Sequence, residues 1–109
     1  MSTAARLLVM WETPADPEAF ERHYREVHIP LARRLPGLRR YTLSRSAAAV
    51  RGGGPPYLMA ELDWDDLDSL KRAFESPVGQ ATAEDVASLA RETQVRSIIY
   101  ELEDHLPQR

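Results

Sequence analysis

The sequence predicts an α+β domain with a ferredoxin-like order of elements, β-α-β-β-α-β, that pairs with a second copy of itself. Three features predict this: helix-capping signals, strand-like apolar runs, and apolar residues on both faces of those strands. The chain has 109 residues, of which 43% are hydrophobic and 28% charged, a composition typical of one folded domain. We therefore expect a single domain over residues 1–109, with a core at about 5–102 and a polar tail at 103–109.

The first strand and the first helix are separated by a sharp change of pattern. Residues 5–12 hold a continuous apolar run, which is typical of a strand buried on both faces. Asp16 then precedes a proline, and a capping carboxylate followed by proline indicates a helix start. We expect this helix at about 17–35. We also expect it to be disturbed at Pro30, which lacks the N–H that would bond the carbonyl of Glu26.

The rest of the chain predicts a hairpin, two helical segments and a last strand. Alternation of apolar and polar residues marks the strands, and a Gly- and Pro-rich connector joins the first two of them. The predicted elements are strands at 38–45 and 57–64, a helix capped by Asp65, a helical segment from Ser76-Pro77 to about Ala90, and a strand at 93–102.

A homodimer follows from the two-sided strands. A sheet of this topology carries its helices on one face and leaves the other face bare. Leu8, Met10 and Met59 fall on the bare face, and soluble monomers avoid large exposed apolar patches. Two such faces packed together close a barrel, and a symmetric pair is the simplest way to build one.

The bulk properties exclude several classes of partner. The net charge of -3 is too weak to predict a nucleic-acid ligand. The longest apolar run is too short to cross a membrane, and we find no secretory signal. There is no cysteine, which excludes disulfides and thiolate metal sites. We expect a cytoplasmic protein with no nucleic-acid or membrane partner.

His28 is the leading candidate for chemistry. It lies at the edge of the apolar helix stripe, beside Pro30, where one ring nitrogen can face a cavity while the other is held by the scaffold. The alternative is a structural histidine bonded to the carbonyl of Glu26 or to the next loop. His23 lies five residues earlier, so on a regular helix the two rings point in different directions. We therefore expect no metal site.

Glu61 is the second catalytic candidate. It lies on the strand face opposite the helices, where it points into the barrel lumen and needs a partner such as Arg39 or Arg96. The alternative roles for Glu61, a structural ion pair or a solvated position at the rim, are equally compatible with the sequence.

An apolar cavity with a few polar tips is typical of a small-molecule site. Each of the residues expected to line such a cavity could instead belong to the core or to the dimer interface. The residues expected to bind ligand are Trp11, Tyr24, Arg39, Tyr41, Met59 and Tyr100.

These features together resemble the EthD-like family of the dimeric α+β barrel superfamily, from about Leu7 to Ile99. Asp63-Trp64 replaces the aromatic-acidic pair usual in that family. The residues that carry the resemblance are Pro17, Phe20, Tyr24, His28-Ile29-Pro30-Leu31, the run from Leu35 to Tyr41, Ala60-Glu61-Leu62, Asp65, and the run from Phe74 to Gln80.

The resemblance implies a homodimer with a cavity for a small hydrophobic or aromatic ligand. Related barrel families include cofactor-independent oxygenases of polyketide aromatics, lactone isomerases, polyketide cyclases and haem-degrading enzymes. It thus implies a metal-independent oxidoreductase, monooxygenase, isomerase or cyclase with His28 as acid and base. A non-catalytic ligand-binding or accessory dimer is the alternative. No cofactor is expected, and haem with His28 as axial ligand is a further alternative.

Overall fold

Four strands form one antiparallel sheet in a computed structural model that describes residues 3–106. The strands are β1 (Ala5–Trp11), β2 (Arg40–Leu43), β3 (Leu58–Trp64) and β4 (Val95–Glu101), and they lie in the order β2-β3-β1-β4. Every neighbouring pair is antiparallel, and Leu7 pairs with Leu62 on one side and Ile99 on the other. The predicted ferredoxin-like α+β fold is therefore confirmed.

The helices start where capping side chains stand. They are α1 (Pro17–His23), a π-helical turn (Tyr24–His28), α2 (Ile29–Ala32), α3 (Leu67–Glu75) and α4 (Pro77–Leu89). The Asp16 side chain accepts from the N–H of Ala19, as the sequence predicted. The cap of α3 was predicted wrongly: Asp66 accepts from the N–H of Ser69, whereas Asp65 pairs with Arg39.

The π-helical turn is the disturbance that the sequence predicted beside Pro30, and the helix that was expected to continue to Leu35 is shorter. The N–H of Ile29 bonds the carbonyl of Tyr24, five residues earlier, and the helix ends at Ala32. Pro30 cannot donate a backbone bond, so the turn before it widens by one residue. Side chains five residues apart consequently lie on one side of the helix here.

The sheet buries one face against the helices. Along β3, Leu58, Ala60, Leu62 and Trp64 are buried, whereas the residues between them are only partly so, as period-two alternation requires. Trp11 of β1 lies at the centre of an aromatic cluster, with its ring 5.3 Å from Phe20 and edge-on to it. Such edge-to-face packing adds stability beyond area burial.

The junction of α3 and α4 depends on a glycine. Ser76 caps the new helix by accepting from the N–H of Gly79. A Cβ at Gly79 would collide with the carbonyl of Ala73 and the backbone of Phe74. The close approach lets the start of α4 lie against the end of α3, and Thr82 and Val86 of α4 line the cavity described below.

The end of the chain fits the sequence prediction with small shifts. The last strand is shorter than the predicted 93–102, and residues 103–106 of the predicted polar tail form no helix or strand. Residues 107–109 of that tail lie outside the described part. Among the described residues, no helix is long and apolar enough to span a bilayer.

Candidate active site

A small enclosed cavity lies between the sheet and the helices, beside the π-helical turn. Its volume is about 40 Å³, which is room for a water molecule or a small polar group. Its polar members are His28, Tyr24, Tyr41, Thr82 and the indole of Trp11. Its apolar members are Leu7, Val9, Ala32, Leu35, Ala60, Leu62, Phe74 and Val86.

His28 is held rigidly at this cavity. Its ring is 6% exposed and packs 4.9 Å from the ring of Tyr24, centroid to centroid. Its Nδ1 lies 2.8 Å from Oδ2 of Asp85 on α4. Neither partner considered from the sequence, the carbonyl of Glu26 or the next loop, takes that position.

The proton on His28 is fixed by its surroundings. Burial lowers the pKa of His28 and outweighs the opposing effect of the Asp85 carboxylate, so the ring is neutral at pH 7. A carboxylate can only accept, so Nδ1 carries the hydrogen and Nε2 carries a lone pair. No side chain within residues 3–106 bonds Nε2 of His28, whose recorded hydrogen bond is the one through Nδ1. This is the arrangement of a general base oriented by an acid.

Asp85 bridges two histidines. Its other oxygen, Oδ1, lies 2.7 Å from Nε2 of His23. The expectation that His23 and His28 point in different directions is therefore wrong, because the π-helical turn brings residues five apart to one side. Within the described chain, no group of three or more metal-binding side chains is arranged around a common centre.

Sequence reasoning missed Asp85. The available signal was an acid one turn after Thr82 and next to Val86, beside the apolar stripe of a helix. A carboxylate in that position needs a partner from a neighbouring element. The sequence does not say which element that is, since the contact joins residues 57 positions apart.

Two tyrosines close the cavity beside His28. The hydroxyls of Tyr24 and Tyr41 lie 3.0 Å apart and share a hydrogen bond. Burial raises the pKa of both, with Tyr41 adding to the effect on Tyr24. Both phenols therefore stay neutral near pH 7 and serve as hydrogen-bond groups rather than as bases.

Glu61 does not share this cavity. It points to the open face of the sheet, as predicted, whereas His28 lies on the helix side, so the two predicted catalytic residues do not line one cavity. The Glu61 carboxylate lies 2.9 Å from Arg6 and is 42% exposed. Arg6, rather than the expected Arg39 or Arg96, is its partner.

The six expected ligand-binding residues divide between two faces. Trp11, Tyr24 and Tyr41 line the cavity. Met59 and Tyr100 lie on strand positions that alternate to the open face, because successive side chains of a strand point to opposite sides. Arg39 is exposed and pairs with Asp65 at 2.8 Å, and it is not among the residues that line the cavity.

A larger groove adjoins the cavity at the β4 edge of the sheet. It measures about 410 Å³, within the usual range of about 300–1,000 Å³ for small-molecule sites. Four side chains line both spaces and form the wall between them: Leu7, Val9, Phe74 and Val86. The other lining residues of the groove are Leu70, Lys71, Ala83, Ser97 and Ile99.

A haem does not fit at His28. The space beside the imidazole is about 40 Å³, far below the volume that a ligand of porphyrin size fills. The residues around it are packed core side chains, so axial ligation would require the core to open. The haem alternative is therefore not supported by the geometry.

Comparison with known proteins defines the family. The EthD domain model matches residues 12–93. The chain belongs to the EthD family. An uncharacterized 11.0 kDa protein from the thcB-thcC intergenic region of Rhodococcus erythropolis is 36% identical over 87 residues, which are 78% of this chain and 82% of that protein.

Solved structures of similar proteins support the same fold. An EthD family protein from Bacillus halodurans is 32% identical and superposes with a TM-score of 0.81, covering 92% of this chain and 99% of that one. SnoaB, a cofactor-independent oxygenase from Streptomyces nogalater, is 19% identical with a TM-score of 0.70, covering 98% of this chain and 100% of that one. The second likeness concerns the fold alone.

Proposed function

We propose that this EthD family protein is a metal-independent enzyme that moves protons on a small aromatic, polyketide-like or lactone compound. The observation that carries the proposal is the buried His28, whose Nδ1 is held by Asp85 at 2.8 Å and whose Nε2 takes part in no hydrogen bond among residues 3–106. A neutral imidazole oriented in this way is a base ready to act near neutral pH.

The chemistry begins with removal of a proton from carbon. Nε2 takes a proton from the carbon next to a carbonyl, and the electron pair of the broken bond moves toward the carbonyl oxygen. In an isomerase or cyclase, the imidazolium returns this proton to another atom. In a monooxygenase, O₂ oxidises the carbanion: one oxygen atom enters the product, and the other leaves as water with the two hydrogens that the carbon loses. The fold shared with SnoaB supports the oxygenase version.

The groove and the cavity bind different parts of the ligand. An apolar ligand body suits the groove of about 410 Å³, and a single reacting group suits the inner cavity of about 40 Å³. Rotation of Phe74 and Val86, which line both spaces, joins them into one site. Apolar walls around a few convergent polar groups are the usual character of such a site.

The test measures proton exchange directly, without knowledge of the final product. Wild-type protein is incubated in D₂O with a panel of enolisable aryl ketones and lactones, and loss of the C–H signal is followed by NMR. We expect catalysed exchange for one class of compound and a drop of about 100-fold or more in His28→Gln. His105→Gln is the matched control, because His105 is exposed and far along the chain from the site.

Two results would contradict the enzyme proposal. One is full exchange activity in a folded His28→Gln variant. The other is tight binding of panel compounds with no exchange and no conversion under O₂, which favours the alternative, a non-catalytic ligand-binding or accessory dimer.

The proposal includes a homodimer formed through the open face of the sheet. Leu8, Met10, Met59 and Ile98 cluster on that face by register, and Ile98 is 46% exposed in the single chain. Covering them by a second copy removes apolar area from water. Sedimentation at micromolar concentration tests this: we expect a dimer, and a stable 12.4 kDa monomer would overturn it. The cytoplasmic location stays a prediction.

A further inference from the structure

Trp11 carries an unpaired donor at the cavity. Its side chain is fully buried and lines the same space as His28. Among residues 3–106, its indole Nε1 is the buried side-chain polar atom that has no hydrogen-bond partner. The other tryptophan, Trp64, is equally buried, but its Nε1 donates to the carbonyl of Pro36 at 2.8 Å.

An unpaired buried donor is unusual enough to require a reason. Buried N–H groups lose their bonds to water on folding, and native proteins pair nearly all of them. Trp64 shows that this chain can satisfy an indole in its core. Trp11 and His28 line the same cavity, and no hydrogen bond among residues 3–106 uses Nε2 of His28.

The cavity lining selects the kind of group that would accept this hydrogen bond. Among residues 3–106, no lysine or arginine lines the inner cavity, so a carboxylate or phosphate would enter it without a counter-ion from these residues and at high cost. A carbonyl oxygen is neutral on entry and becomes negative only as the reaction proceeds. A neutral N–H donor in a dry site suits such an oxygen, because the hydrogen bond between them strengthens as negative charge develops on the oxygen.

We propose that the indole N–H of Trp11 binds the carbonyl oxygen of the substrate and stabilises the enolate that His28 creates. The proposal rests on the function proposed above and narrows the substrate to a carbonyl compound with an apolar body. The C–H bond breaks and its proton goes to Nε2 of His28. That bonding pair becomes the new C=C bond, and the π pair of the carbonyl moves onto the oxygen, which accepts from Nε1.

The Tyr24–Tyr41 pair is the competing source of a donor. The two hydroxyls share one hydrogen bond, which uses one of their two hydrogens, so the second remains to donate. The experiment must therefore distinguish hydrogen bonding by the Trp11 indole from hydrogen bonding by the Tyr24 and Tyr41 hydroxyls. Phenols serve as probes because they enter the cavity neutral, and the phenolate that forms when His28 takes the proton resembles an enolate in charge and shape.

The first arm uses the unaltered protein with ¹⁵N-labelled indoles. The chain has two tryptophans, so two indole N–H signals are expected, and Trp64→Phe assigns them. On titration with ring-substituted phenols, we expect the Trp11 signal to move downfield as the phenolate binds, while the Trp64 signal stays in place. An unmoved Trp11 signal when His28 ring signals respond, or no phenol binding at millimolar concentration, would overturn the proposal.

The second arm measures proton exchange on the panel ketones. We expect Trp11→Phe to lower kcat by about 100-fold with little change in KM, which is the usual effect of removing an oxyanion donor. Trp64→Phe is the matched control, with lower stability and unchanged kcat. A loss in Tyr41→Phe but not in Trp11→Phe would assign the donor to the tyrosines and refute the role of Trp11.

The two proposals fail separately. Exchange that survives in Trp11→Phe but is lost in His28→Gln removes the indole role and leaves the enzyme proposal standing. An unaltered protein without exchange removes the enzyme proposal, even where the Trp11 signal still reports a bound phenolate.

Discussion

Replacing Asp85 with asparagine removes the charge behind His28 while keeping the shape of the side chain. The carboxylate lies 2.8 Å from Nδ1 of His28, and the two side chains are 11% and 7% exposed, so water screens the contact little. Loss of the carboxylate lowers the pKa of His28 further. The amide can also donate to Nδ1, which moves the ring hydrogen to Nε2 and removes the lone pair from the cavity.

The expected loss of rate follows from the strength of that bond. A hydrogen bond to a charged group contributes about 1.5–3 kcal/mol, and in the transition state His28 is an imidazolium that needs this partner. Since about 1.4 kcal/mol corresponds to tenfold in rate, we expect Asp85→Asn to slow proton exchange by about 10- to 150-fold. Glu84→Gln, an exposed acid on the same helix, serves as the control.

The assay pairs the exchange rate with an NMR titration of the His28 ring. We expect a slower rate together with a lower pKa in Asp85→Asn and neither change in Glu84→Gln. An Asp85→Asn protein with a rate within twofold of wild type and an unchanged His28 titration would refute the reasoning.

Three further predictions concern stability. The pKa of His28 lies below its ordinary value of 6.5, so as pH falls below that value the unfolded chain binds this proton before the folded chain does. The free energy of unfolding should therefore decrease as the pH falls below about 6.5. In His28→Gln, the free energy of unfolding measured by urea titration should decrease less over the same pH range. Gly79→Ala should cost about 2–3 kcal/mol by overpacking, whereas Gly53→Ala, where a Cβ has open space, should not; equal melting temperatures would contradict this. Tyr41→Phe should cost about 1 kcal/mol in urea unfolding by removing the bond to Tyr24, and an unchanged midpoint would show that this bond contributes nothing.

Local signals in the sequence were sufficient to predict the fold. Asp16 and the proline after it set a helix start, and alternation along β3 set which side chains face the helices. These signals act over a few residues, because capping bonds and strand pleating depend on near neighbours. The order of elements then leaves few ways to cover one sheet face, and the ferredoxin-like arrangement is one of them.

The site was predicted only in part. His28 was singled out as a histidine at a stripe edge beside Pro30, and the structure places it at a cavity with one nitrogen held and one unpaired. Glu61, the second catalytic candidate, lies on the other face of the sheet, as alternation along its strand predicted, and it is not part of this cavity. The true partner, Asp85, comes from a helix more than 50 residues away.

The sequence by itself determined the strands, the helix starts and the importance of one imidazole, because each depends on residues close together in the chain. Tertiary structure alone decided which carboxylate bridges His23 and His28 and that the indole of Trp11 has no acceptor among residues 3–106. These features depend on which distant side chains meet across the packed layers. The pattern of residues along one strand or helix does not predict such long-range contacts.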